Sequence, residues 1–148
     1  MTGGRAGVVV IRDGRIALIE RHRGDRHYWA VPGGSIEPGE TVEEAALREA
    51  HEELHADVVV GRLVIEADFP AGTDTPRHQW YFEATVGSDD IRMTGPETDP
   101  TRGRGTYEAV WVPLEDLAGL TVLPRPVARA ISEHGGNWPA APVMVSDA

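Results

Sequence analysis

The stretch Gly-Gly-Ser-Ile-Glu-Pro-Gly-Glu-Thr-Val-Glu-Glu-Ala-Ala-Leu-Arg-Glu-Ala-His-Glu-Glu-Leu-His-Ala-Asp, residues 33–57, decides how this chain is read. It opens on glycines, turns at Pro38-Gly39 and then runs as one helix. Pro followed by Gly at the centre of a turn suits type II geometry. Thr41, with Glu44 three residues later, has the pattern of a capping box. The helix is predicted to run from there to about Leu54. From Gly34 to Asp57 there are eight acidic residues and one arginine, Arg48. At about 3.6 residues per turn, Glu49, Glu52 and Glu53 fall within an arc of roughly 100°. Like charges therefore face each other, and each such pair costs about 0.2–0.5 kcal/mol in an isolated helix. A local rule broken without local gain points to function. A hard divalent cation, which takes carboxylate oxygens, is the natural compensation. Leu47, Ala50 and Leu54 are predicted to pack on a sheet, on a face away from the three glutamates.

A chain of 148 residues suits one domain with a real core. Its hydrophobic share of 41% and charged share of 26% are those of a soluble globular protein. There is no cysteine, which excludes disulfides and thiolate metal sites. No apolar run reaches the roughly 18 residues of a membrane span, and the N-terminus lacks a signal-peptide core, so a cytoplasmic location is expected. The net charge of -10 argues against a nucleic-acid polymer as partner, since polyphosphate-backbone binders are basic. A small phosphorylated ligand remains compatible when metal ions bridge it to the protein.

Working outward, strands are predicted at about 5–12 and 15–21, joined by Asp13-Gly14 as a type I′ hairpin turn. Arg21 to His27 reads as a polar loop, and Tyr28 to Val31 as a short extended stretch stopped by Pro32. Val58 to Phe69 reads as one long strand or two with a bend at Gly61. Pro70 to Pro76 is a loop, and Arg77 to Val86 alternates as a strand hairpinned with the one before. There Trp80, Phe82 and Ala84 share one side, with Gln79, Tyr81 and Glu83 on the other. Asp89 to Thr94 is a weak strand, Gly95 to Gly105 an open loop, and Glu108 to Val112 a strand. Pro113 to Leu117 starts a short helical turn. Pro124 to His134 is a second helix with Pro near its start and Gly135-Gly136 as its stop. The expected organisation is one domain over 1–136 with a tail at 137–148, of α+β class, with helices on a mixed sheet.

With these residues in view, the chain resembles the Nudix hydrolases (MutT-like). That family's signature is Gly, five residues, Glu, seven residues, Arg-Glu, an aliphatic, any residue, Glu-Glu, any residue, Gly and an aliphatic. It falls here on Gly34, Glu40, Arg48, Glu49, Glu52 and Glu53, with every charged position at its spacing. The lead-in from Trp29 to Gly34 and the later Val110 to Leu117 are also similar, so the resemblance spans roughly 5–134. Ala50, His55 and Ala56 depart from the signature. The family glycine follows the helix end, where a left-handed residue is usual. His55 can occupy that region at some cost.

The resemblance implies an α/β/α sandwich with a mixed sheet. It also implies hydrolysis of a diphosphate linkage in a nucleoside diphosphate derivative: a nucleoside triphosphate, a nucleotide-sugar or an ADP-ribose-like compound. The implied cofactor is Mg²⁺, with Mn²⁺ as the alternative, held by Glu49, Glu52 and Glu53 together with waters and substrate phosphates. Glu49 and Glu53 are the expected principal ligands. Glu52 is either a third ligand or the base that deprotonates the attacking water. Arg48 is expected to orient Glu49 or Glu40, or else to form a surface pair with Glu44 or Glu52. Glu40, near the helix start, is read as a supporting residue. The bland alternative for the whole set is a solvated acidic face. A nucleotide-sensing module of the same fold, without turnover, is the competing function; it would be expected to have lost box acids, and none is lost.

Outside the box, substrate candidates are Gly34, Arg21, Arg26, Tyr81 and Glu108. Gly34 lets a ligand approach the backbone. Arg21, Arg23, Arg26, Arg102 and Arg104 suit phosphate, against the alternative of ordinary exposed arginines. Trp29, Trp80, Tyr81 and Phe82 could stack a base. Trp80 and Phe82 read most simply as core, which leaves Tyr81 the freer candidate. Glu97 and Glu108 are candidates for a remote acid, against ordinary surface glutamates. Pro70 lies near where a proline marks some ADP-ribose hydrolases. The six histidines show no metal-ligand spacing along the chain. A small-molecule nucleotide is the expected partner, with no membrane, and a homodimer is the assembly the resemblance suggests.

Overall fold

The structure, a computed structural model, describes residues 4–69, 78–88, 90–91 and 106–146. Strands β1 (Arg5–Arg12) and β2 (Arg15–Arg23) meet at Asp13-Gly14. Both turn residues have positive φ, 54° and 76°, as a type I′ turn requires. Then come β3 (Arg26–Ala30), β4 (Gly33–Ser35), helix α1 (Val42–Leu54), β5 (Val58–Asp68), β6 (His78–Val86) and β7 (Thr106–Pro113). A 3-10 turn (Leu114–Gly119), β8 (Val122–Leu123), helix α2 (Arg125–His134) and β9 (Val143–Ser146) complete the chain.

The nine strands form one mixed sheet in the order β8-β3-β2-β1-β6-β5-β9, with β4 also on β1 and β7 also on β2. The first hairpin holds together at only two rungs, Ile11 with Ile16 and Arg12 with Arg15. Beyond them the strands part: β1 takes β4 and β6, and β2 takes β3 and β7. Because side chains alternate along a strand, each half feeds two cores. Val8, Val10, Ala17, Ile19 and Phe82 pack with Ala45, Ala46, Ala50 and Leu54 of α1. Val9, Ile16, Leu18, Ile65 and Tyr81 pack with Val127, Ala130 and Ile131 of α2. Helices thus lie on both sides of a mixed sheet, the expected α+β sandwich.

The capping box forms as predicted: Thr41 Oγ1 accepts from the Glu44 N–H at 3.1 Å, and Glu44 Oε1 accepts from the Thr41 N–H at 2.8 Å. The helix ends on His55 in the left-handed region, φ 51°. Gly39 has φ 86°, as the third place of a type II turn demands. β5 is one strand with register shifts between Val60 and Ile65, around Gly61.

Four expectations are corrected. Leu47 is 40% exposed, whereas the buried positions of α1 are Ala45, Ala46, Ala50 and Leu54. At about 100° per residue these four bracket Glu49 and Glu53, so those two acids sit inside the buried arc, not opposite it. Arg21 to His27 is not a loop. The β2–β3 ladder continues through Arg23 with Arg26, leaving Gly24 and Asp25 as the turn. Polar side chains conceal a strand when both neighbours pair with it. Residues after 136 are not merely a tail, since β9 runs parallel to β5 from Ile65 to Asp68. Arg62 secures that return by donating to the carbonyls of Pro139 at 2.8 Å and Ala140 at 3.1 Å. Tyr81 is not an open stacking surface, because it is fully buried.

Asp90 and Ile91 carry no strand, and the rest of the predicted strand at 89–94 lies outside the described residues, as do Pro70, Arg77, Glu97, Arg102 and Arg104. Among the described residues, no helix is long and apolar enough to cross a membrane.

Candidate active site

The site forms where α1 meets β4. Gly33 lies so close to β1 that a Cβ there would stand 2.7 Å from the Ala6 carbonyl oxygen and 2.8 Å from the Gly7 Cα. Its N–H donates to Glu53 Oε1 at 2.6 Å. Next to it, a Cβ on Gly34 would overlap the Glu49 carboxylate. Gly34 thus makes room for an acid of the site, which is where the sequence placed a substrate contact.

Three carboxylates gather with little compensating charge. Burial pushes Glu53 up to about 7, opposed by the Gly33 hydrogen bond and Arg5 and reinforced by Glu49 and Glu52. Burial also raises Glu49, with Arg48 as the chief opposing influence. The Glu49 side chain is 14% exposed and that of Glu52 is 57% exposed. The three therefore differ: two acids lie inside, and one lies at the rim.

Arg48 binds the set together. Its Nε and Nη2 grip Glu40 Oε2 and Oε1 at 2.7 and 2.9 Å, a bidentate fork. Its Nη1 donates to Glu49 Oε2 at 2.9 Å, and Nη2 to the Ser35 carbonyl at 3.0 Å. Contact with Glu52 is looser, at 3.4 Å. Glu40 also accepts from the Glu37 N–H at 2.9 Å. These bonds, Arg48 first, hold Glu40 down at about 2. Arg48 thus touches both acids it was expected to orient, Glu40 and Glu49, and also Glu52, its alternative partner.

Arg5 and Gln79 have no signal in the sequence. Arg5 heads β1 and donates to the Val31 carbonyl at 3.1 Å and to the Tyr81 hydroxyl at 3.3 Å. Tyr81 donates in turn to the buried Gln79 Oε1 at 2.7 Å. Arg5 lies near enough to favour the charged forms of Glu53 and Glu49. Only the parallel pairing of β1 with β6 brings these residues together, at a separation no local pattern reveals.

The remaining candidates lie on the β2–β3–β7 ladder. Arg21 stacks over the Tyr107 ring at 3.8 Å and near Tyr28 at 5.4 Å, and its buried Nε makes no hydrogen bond among the described residues. Arg26 is exposed and lies 4.7 Å from the Tyr28 ring. Glu108 is exposed on β7, across from Glu20. Neither the hydrogen bonds nor the charge influences on Glu49 and Glu53 involve it. Trp80 and Phe82 belong to the α1-side core, as expected.

A set of hard oxygen donors, with charge exceeding what Arg48 and Arg5 offset, suits a Mg²⁺-like cation. Glu49 and Glu53 could hold it from within, with Glu52 at the edge.

Comparison with known proteins converges on one family. A NUDIX domain model matches residues 1–132. The 8-oxo-(d)GTP phosphatase of Mycolicibacterium smegmatis is 33% identical over 100 residues, covering 68% of this chain. The match spans only 27% of that relative's own length. The RNA pyrophosphohydrolase of Erythrobacter litoralis is 38% identical over 122 residues, 70% of each chain. A crystal structure of a NUDIX hydrolase from Nitrosomonas europaea superposes with a TM-score of 0.67 at 20% identity, over 97% of this chain and 78% of that one, a likeness of fold.

Proposed function

This chain belongs to the NUDIX family, and on that premise we propose that it is a Mg²⁺-dependent hydrolase of a diphosphate linkage in a small nucleoside diphosphate derivative. The observation that carries the reading is the placement of Glu49 and Glu53 inside the buried arc of α1, one against Gly34 and the other bonded to the Gly33 N–H. A helix that buries two carboxylates beside each other without a cation pays for it in stability. A sensing module has no need of that cost.

When bound, Mg²⁺ would neutralise the bridging phosphates and lower the pKa of a water. Glu49 and Glu53 would hold it. Glu52, at the rim, takes the proton of the attacking water as the new phosphorus–oxygen bond forms and the bridging one breaks. Arg48 keeps Glu49 aimed, anchored by Glu40. Arg21, stacked on Tyr107 and near Tyr28, is read as the arginine for a substrate phosphate through its terminal guanidinium nitrogens. The net charge of -10 favours a small ligand over a polymer.

The test is a panel of oxidised and ordinary nucleoside triphosphates, nucleotide-sugars, ADP-ribose and 5′-triphosphorylated RNA. It is run with and without Mg²⁺, and phosphate, diphosphate and nucleoside monophosphate are measured. Metal-dependent release from a small nucleotide supports the proposal. Binding of one nucleotide without product across the panel identifies a sensor instead. Glu52→Gln should lower kcat and leave Mg²⁺ affinity in place. Loss of both makes Glu52 a ligand.

A further inference from the structure

The β2–β3 hairpin sorts its side chains onto two faces. Arg21, Arg23, Arg26 and Tyr28 share one face, and Glu20, His22, His27 and Trp29 share the other. The second face continues the row of Ile16 and Leu18, which belongs to the core with α2, whereas α1 packs on the row of Ala17 and Ile19. Register sets His22 directly across from His27. Their rings stack with centroids 4.0 Å apart, and His27 Nε2 lies 2.6 Å from Glu20 Oε2. One ligand atom from each of Glu20, His22 and His27 lies within 4.8 Å of the others. Trp29 packs against His27 at 4.4 Å. On the other side of β2, Glu108 stands across from Glu20, so a second carboxylate adds to the negative charge of this face. Like charges directly opposite one another weaken a sheet.

We infer that Glu20, His22 and His27 form a binding site for a borderline transition-metal cation such as Zn²⁺. Two imidazoles and one carboxylate are the donor set that favours Zn²⁺, Ni²⁺ or Cu²⁺ over Mg²⁺. The ladder fixes all three positions, so little order has to be created on binding. Both histidines are exposed, which leaves room for water at the open coordination position. The arginines of the hairpin point to the other face and do not repel a cation here. The spacing of His22 and His27 along the chain matches no local metal motif. It becomes a ligand pair only through the turn at Gly24-Asp25, a juxtaposition that spacing along the chain does not reveal.

Zn²⁺ titration by calorimetry in millimolar Mg²⁺ tests this on the full chain. One equivalent should bind the wild type and also a Glu49→Gln/Glu53→Gln protein. Affinity should fall more than about tenfold in His22→Gln/His27→Gln. Zn²⁺ should also raise the Tm of the wild type and not that of the histidine variant. Because loss of both rings could loosen the hairpin, His22→Phe serves as the second variant. It keeps a ring to stack on His27, should fold as the wild type, and should still lose Zn²⁺. Zn²⁺ binding unchanged in either histidine variant, or abolished by the Glu49→Gln/Glu53→Gln change, overturns the assignment.

Discussion

Replacing Glu53 by Gln removes a charge while keeping the shape, and the amide oxygen can still accept the Gly33 N–H. The carboxyl of Glu53 is raised from an ordinary 4.5 to about 7, burial being the main cause. An acid raised on folding binds more protons in the native state than in the unfolded one across that window. Metal-free stability therefore falls as pH climbs from 4.5 to about 7. At about 1.4 kcal/mol for each pH unit, the penalty reaches about 3 kcal/mol above neutrality. The Glu53→Gln protein escapes it. In EDTA, urea unfolding at about pH 8 should find the variant more stable than the wild type by about 3 kcal/mol, and the gap should close toward pH 4.5. Titrating groups that do not interact with Glu53 cancel in the difference, and relief of Glu49 and Glu52, which reinforce its shift, adds in the same direction. Mg²⁺ should then stabilise the wild type and not the variant, and turnover by the variant should drop by orders of magnitude. A stability difference that ignores pH would refute the buried-acid argument, and near-full activity would refute the metal assignment.

Three further substitutions probe neighbouring parts of the site. Gly34→Ala drives a methyl group into the Glu49 carboxylate; circular dichroism should stay the same while kcat falls about 100-fold, as a displacement of about 1 Å can produce. Arg48→Lys keeps the charge but cannot span Glu40 and Glu49 together. Steady-state kinetics should show a loss of about 10–100-fold, the range for residues that orient a metal ligand. Tyr81→Phe deletes hydrogen bonds to Gln79 and from Arg5. It should cost about 1–3 kcal/mol in denaturant unfolding; because Phe keeps the ring, a loss of that size reports the hydrogen bonds alone.

How legible the molecule was depends on the range of each interaction. The helix start at Thr41 and the Asp13-Gly14 turn are settled by a few adjacent residues, and each stands where its local chemistry placed it; the left-handed exit falls on His55, where the family signature has glycine. The box acids were legible too, because like charges at helical spacing are a conflict visible in one dimension. Their direction was not. Leu47 was expected on the buried face with Ala50 and Leu54, away from the acids, and the helix instead turns Glu49 and Glu53 inward among its alanines. What stayed hidden arises between distant strands. Arg5 meets Tyr81 only across β1 and β6. His22 meets His27 only because a run of charged residues keeps its ladder. β9 is short, follows an irregular stretch, and owes its place to pairing with β5.

The bond from Gly33 to Glu53 has a consequence for how such a site can drift. Its donor is main chain, so no change of side chain at position 33 deletes it short of proline. Packing against Ala6 and Gly7 already bars a larger residue there. The acid is thus anchored by a part of the protein that mutation can hardly alter. The ladder bearing Arg21, Tyr28 and Tyr107 hangs on β2 and has no such protection. On the proposed function, selection can rewrite residues that meet the substrate while the position of Glu53 stays fixed, which separates the inheritance of chemistry from the inheritance of preference within a single small domain.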